Sequence, residues 1–203
     1  MKIYKTIIVS LILFQVMACT MGAHHGEMEY PDYQAPQGDY DHILNHWTDK
    51  EKNYNAFSST FQITATLVST EIMEHQVYMM AQKSHWTSAQ LTEEKQKQLS
   101  EAQNVTTCFF SFYTDRDENN NLDKKQTSWN IFLEAGGSRV SPSSIKRVTD
   151  GLDNVMQKYP YVTRWTKWYM VKFPISTSVA ISGPLTLTVA GPAGDAHLHF
   201  PSN

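Results

Sequence analysis

Apolar and polar positions along this chain switch repeatedly between two periods. Phe57, Phe61, Ile63, Ala65 and Leu67 alternate with Ser58, Gln62, Thr64 and Thr66. Period two with β-branched residues predicts a strand with one buried face. Residues 69–84 then place Ile72, Met73, Val77, Met80 and Ala81 at helical spacing, with Ser69 or Thr70 as the cap. A second helix is predicted from Thr87 to Gln103. It is rich in Glu, Lys and Gln, and Leu91, Leu99 and Ala102 are its few apolar positions, so it belongs on the surface. Upstream, Ile43, Leu44 and Trp47 predict a short helix or irregular collar over residues 40–55.

Period two returns at Val105–Thr114 and at Ser128–Ala135, on either side of a polar loop at 115–126. Gly136-Gly137 signals a turn into Arg139-Val140. Pro142 and its neighbouring serines predict a third helix over 143–157, although Gly151 in its interior weakens a continuous one. Residues 161–174 predict the strongest strand, with Trp165, Tyr169, Val171 and Phe173 alternating with Thr166, Trp168, Met170 and Lys172. Both faces are partly apolar, which places it centrally with cover on each side. Its Trp and Tyr residues suit core packing or the wall of a carbohydrate or lipid groove. Leu185, Leu187 and Val189, then Ala196–Phe200 after a Gly-Pro-Ala-Gly turn, predict a terminal hairpin. The pattern gives six or seven strands with helices between them and hairpin-length connections near the end. The expected fold is α+β, mainly β: an antiparallel β-sandwich, loosely immunoglobulin-like, with two or three inserted helices.

The start of the chain follows a different logic. Lys2 and Lys5 precede an apolar stretch at 6–17, which is shorter than the roughly 20 residues of a membrane-spanning helix. Val16-Met17-Ala18-Cys19 follows, so the segment reads as a removable export signal. These residues resemble the lipobox of bacterial lipoproteins, with Met17 a slight departure from the commonest pattern. The resemblance implies cleavage before Cys19, lipid on its sulfur, and sorting to the outer membrane through Thr20. The expected organisation is a signal peptide at 1–18, a lipidated cysteine and flexible tether at 19–40, and one globular domain at 41–203. His24 and His25 fall in the tether, where they are solvated.

Composition narrows the function classes. Aromatic residues make up 12% of the 203, too many for a disordered chain. The net charge of −3 provides no basic surface of the kind that displaces counterions from nucleic acid, and that class is set aside. The chain has two cysteines. With lipid on Cys19, Cys108 has no partner and reads as a small buried hydrophobe.

The sharpest local motif is the loop from Asp115 to Gln126. Asp115, Asp117, Asn119, Asn121 and Asp123 fall at alternate positions, as a calcium loop requires when its backbone wraps an ion. The pattern resembles an EF-hand-type loop. Asn120 stands where glycine is expected, however, and Gln126 replaces the bidentate glutamate. An Asp/Asn-rich hairpin loop capping its own backbone is the competing reading, and the missing glutamate favours it. His197 and His199 share one face of a strand and would supply two metal ligands, with no third in view. Glu74 and His75 lack the spacing of a zinc hydrolase, and the chain has no Gly-x-Ser-x-Gly, phosphate loop or Cys-x-x-Cys. The expectation is therefore a non-enzymatic binding or assembly module. Its anchor would be the membrane lipid, its partner an envelope protein, and its alternative ligand calcium at 115–126.

The chain as a whole resembles a family of uncharacterised bacterial lipoproteins. Besides the lipobox, the segments that carry this are Ala65-Thr66-Leu67, residues 112–137, Arg139–Ile145, Tyr159–Thr163 and Tyr169–Pro174. The resemblance implies an envelope location and supplies no activity or binding residues.

Overall fold

The alternating segment ending at Leu67 lies inside the larger of two sheets in the computed structural model, which describes residues 33–55 and 58–202. They fall within a unit spanning Asp32–Asn203. The export signal, Cys19 and Phe57 lie outside the described residues. Element order is α1 (Tyr40–His46), β1 (Thr48–Asn55), β2 (Ser58–Leu67), α2 (Thr70–Ser84), α3 (Ser88–Ala102) and β3 (Thr106–Thr114). After a 3-10 turn at Asp117–Asn119 come β4 (Asn130–Ala135), β5 (Ser138–Val140), β6 (Ser144–Arg147), α4 (Leu152–Lys158) and β7 (Lys167–Phe173). The chain closes with α5 (Thr177–Ala180), β8 (Leu185–Gly191) and β9 (Gly194–Phe200). The architecture is α+β: a five-stranded sheet in the order β1-β2-β3-β7-β6 and a four-stranded sheet in the order β5-β4-β8-β9. Every pairing is antiparallel.

Register explains the core. Ile63 pairs with Phe112, and Ala65 with Phe110, which in turn faces Tyr169. Directly opposed residues share a face, so one side of the large sheet presents Ile63, Ala65, Phe110, Phe112, Tyr169 and Val171. These join Leu133, Leu187, Val189 and Leu198 of the small sheet in one buried cluster. Trp129 stacks on Phe61 at 5.2 Å between ring centroids. It also lies against Gly191, where a Cβ would sit 2.4 Å from its ring. On the opposite face of the large sheet, Phe109 stacks on Tyr159 at 3.7 Å. Helix α2 is capped by the Ser69 side chain and buries Ile72, Met73, Val77 and Ala81. Helix α3 carries a Thr87/Gln90 capping box and has no buried residue, as its polar sequence predicts.

Three sequence expectations need correction. Residues 40–55 contain a helix, but they also contain strand β1, which has no apolar alternation to reveal it. The third helix does not run over 143–157. Residues Ser144–Arg147 pair with β7, and helix begins only at Leu152, with Gly151 as its N-cap. The strand expected over 161–174 is confined to Lys167–Phe173, because residues before it turn back on themselves. These changes bring the strand count to nine among the described residues, above the six or seven expected.

The hidden strand has a structural task. Asp49, Glu51 and Asn53 oppose Ala65, Ile63 and Phe61, so they point to the core side of the sheet edge. There they reach β9, the edge of the other sheet. Glu51 accepts the backbone N–H of His197 at 2.8 Å, Asp49 accepts that of His199 at 2.8 Å, and Asn53 donates to the Asp195 carbonyl at 2.6 Å. Inward-pointing charges of this kind satisfy an edge while preventing another strand from adding to it. At the other side, residues 141–143 carry the chain from β5 of one sheet to β6 of the other. The two sheets are thus joined by chain at one margin and by side chains at the other. Among the described residues, no helix is long and apolar enough to cross a membrane.

Candidate functional site

The loop at 115–126 leaves β3 and folds back over Asn120, which is only 6% exposed. The Asn120 amide donates to the Phe112 carbonyl at 3.1 Å. The Tyr169 hydroxyl lies 3.0 Å from both its carbonyl and its side-chain oxygen. Lys167 donates to the same carbonyl at 3.1 Å and pairs with Asp117 at 2.6 Å. That hydrogen bond and charge hold the Asp117 carboxyl below its usual range, with Arg147 adding a smaller pull. Burial pushes the Tyr169 hydroxyl up, which keeps it a neutral donor.

The other expected ligands are placed as follows. The Asn119 carbonyl accepts from the Trp129 indole at 2.6 Å, and the Asn121 side-chain oxygen accepts from Thr127 at 3.1 Å. Asp115 and Asp123 are exposed. Among the described residues, no three His, Cys, Asp or Glu side chains come together to hold a metal ion. Asn120 has φ −88°, not the left-handed conformation a calcium loop needs at this place. Of the loop's polar side chains, Asn120 is the one buried against the core.

His197 and His199 stand on the outer face of the small sheet. Their Nδ1 atoms lie 3.2 Å from the hydroxyls of Thr188 and Thr186 on the neighbouring strand. His197 Nε2 is 3.3 Å from Asp195. Thr188, His197 and Asp195 thus form a hydroxyl–imidazole–carboxylate chain, but its two ionisable side chains are 56% and 67% exposed on an open sheet. Nothing there excludes water, and the contacts are those of cross-strand neighbours. Arg139 lies 3.9 Å over the Phe132 ring on the same face. Cys108 is fully buried, and burial pushes its thiol well up, so it is inert.

A different place has charge available. The β6–β7 ladder runs to Arg147 opposite Tyr169 and is extended by the Val148 N–H donating to the Trp168 carbonyl at 2.8 Å. The chain then peels away through Thr149 and Asp150 towards α4. The other wall is the turn at 163–166, held by the Thr166 hydroxyl donating to the Thr163 carbonyl at 3.0 Å. The same hydroxyl oxygen accepts from the Trp168 indole at 3.0 Å and from Ser111 at 2.9 Å. Between these walls lies a cleft of about 510 Å³ whose lining includes Arg147, Asp150, Arg164, Lys167 and Trp168. Lys167 is engaged by Asp117, whereas the Arg147 and Arg164 guanidinium groups make no hydrogen bond or ion pair among the described residues, Arg147 lying within the field of Asp117. Trp165, beside Arg164 in the turn, is 75% exposed.

A second cleft, of about 270 Å³, lies beneath α3 over Met73, Tyr159 and Met170. Two of its cations are already neutralised, Lys97 by Glu94 and Lys172 by Glu101. The aromatic run at 161–173 therefore divides. Tyr169, Val171 and Phe173 are core, while Trp168 lines the cleft and Trp165 is exposed in the adjoining turn. The sequence pattern points to that run but not to Arg147 and Arg164, which lie where it predicts a helix over 143–157 and a strand over 161–174. Comparison with family models, curated proteins and solved structures gives no match.

Proposed function

We propose that this chain is an envelope lipoprotein, held by lipid on Cys19 and most consistent with the outer membrane, whose domain is a non-enzymatic binding or assembly module. We read its contact surface as the cleft between β6 and the 163–166 turn. The observation that carries this is that Arg147 and Arg164, whose guanidinium groups make no hydrogen bond or ion pair among the described residues, line one cleft, with the exposed Trp165 next to Arg164 in sequence. Arginine and tryptophan are the residues most over-represented where binding energy concentrates. An exposed indole loses apolar contact with water on binding, and a guanidinium fork costs little conformational order per hydrogen bond formed. The two antiparallel sheets around one core support the finer reading of a β-sandwich, loosely immunoglobulin-like, which presents this cleft at one end.

The anchoring half of the proposal rests on Lys2, Lys5, the apolar stretch at 6–17 and Val16-Met17-Ala18-Cys19, and on the resemblance to bacterial lipoproteins. Mass spectrometry of the protein from envelope fractions tests it. The expected amino terminus is an acylated Cys19, and Cys19→Ser should leave the precursor uncut and change its fractionation. An unmodified, uncut terminus on the native protein would overturn it.

A further inference from the structure

The chemistry of the same cleft narrows what it holds, on the reading just given that it is the contact surface. Its lining carries three cations and one acid, with Lys167 already paired to Asp117 across the rim. What remains is the guanidinium forks of Arg147, within the field of Asp117, and Arg164, against Asp150, on a chain whose overall charge is −3. A local positive site on an acidic protein selects anions by field as well as by contact. A carboxylate is satisfied by one fork, whereas two forks supply the donors that three phosphoryl oxygens accept. Trp168 lines the cleft and is fixed by its indole hydrogen bond to Thr166, so an organic substituent on the phosphorus would find an apolar neighbour. We infer that this cleft binds a phosphoryl group, with Arg147 and Arg164 on its oxygens and Trp168 beside the ester substituent.

The experiment is calorimetric titration of the full-length mature chain, in a non-ionic detergent, with inorganic phosphate, glycerol 1-phosphate and short-chain phosphatidylglycerol. Chloride at matched ionic strength is the control. Saturable binding of phosphate compounds is expected, weakened about ten-fold by Arg147→Ala or Arg164→Ala, the loss of one charge-assisted contact. Arg147→Lys keeps the charge without the fork and should still weaken binding several-fold, with circular dichroism unchanged. Lys50→Ala, on β1 at the opposite edge of the large sheet from β6, should bind as the parent does. Tighter binding of the lipid than of inorganic phosphate identifies a headgroup as the source, and equal affinity identifies free phosphate. No saturable heat, the same heat with chloride, or undiminished binding by folded Arg147→Lys and Arg164→Ala would overturn the inference. A cleft residue that cross-links to a partner in cells while phosphate fails to bind would remove this ligand class and leave the proposed contact surface standing.

Discussion

The Glu51 carboxylate accepts the backbone N–H of His197 at 2.8 Å, so a side chain of one sheet takes the place of a ladder partner for the edge of the other. Asp49 does the same for His199 one pleat further along. Hydrogen bonds from backbone N–H to a carboxylate contribute about 1.5–3 kcal/mol, less where water competes. Glu51→Ala and Asp49→Ala should each lower stability by about 1–2 kcal/mol in urea denaturation, and Glu51→Gln, which keeps an acceptor, by less. If both alanine variants unfold at the parental midpoint, the seam is not stabilising.

This edge is also the clearest case of structure hidden from the sequence. The pattern of apolar alternation finds β2, β3, β4 and the β8–β9 hairpin because the core-facing positions of each are apolar and buried. It cannot find β1, whose core-side positions are Asp49, Glu51 and Asn53. The false helix at 143–157 has a similar physical cause. Ile145, Val148, Leu152 and Val155 fall at helical spacing by coincidence, although Ile145 lies in a strand and Val155 in a helix. Helices α2 and α3 are legible because Ser69 and Thr87 cap them as their sequences suggest. The cleft is not legible, since it forms only when β6 pairs with β7 and the 163–166 turn folds beside that pair.

Asn120 ties the loop at 115–126 to the core through Phe112 and Tyr169. Asn120→Ala leaves a carbonyl and a hydroxyl buried with fewer partners, and should cost about 1–3 kcal/mol. Asn121→Ala, nearer the surface, should cost well under half as much. Thermal denaturation of the two variants compares them directly, and equal losses would contradict the anchoring role given to Asn120.

His75 packs on the Tyr40 ring at 5.6 Å and lies 3.2 Å from the Gln37 carbonyl. Burial is the largest influence on it and lowers its pKa, against the opposing pull of Glu74, Glu71 and Asp39. In the unfolded chain the imidazole takes up a proton near its ordinary value of about 6.5. The folded protein does so only at lower pH. Stability is therefore complete above that value and lost as pH falls through the window down to the folded pKa. His75→Gln should flatten the part of this acid-side slope that begins below the ordinary imidazole value of about 6.5. Denaturation midpoints across that range check it, and an unchanged slope would count against the assignment.

The central claim is that the domain makes its contacts through the cleft that Arg147 and Arg164 line. A photo-cross-linking amino acid placed at Trp165 in living cells addresses it most directly, with Val179, also exposed, as the comparison position. The expected result is a discrete adduct at Trp165 that disappears when Arg147 and Arg164 are both changed to Glu, and none at Val179. Equal adducts at both positions, or an adduct at Trp165 that survives the double charge reversal, would contradict the claim.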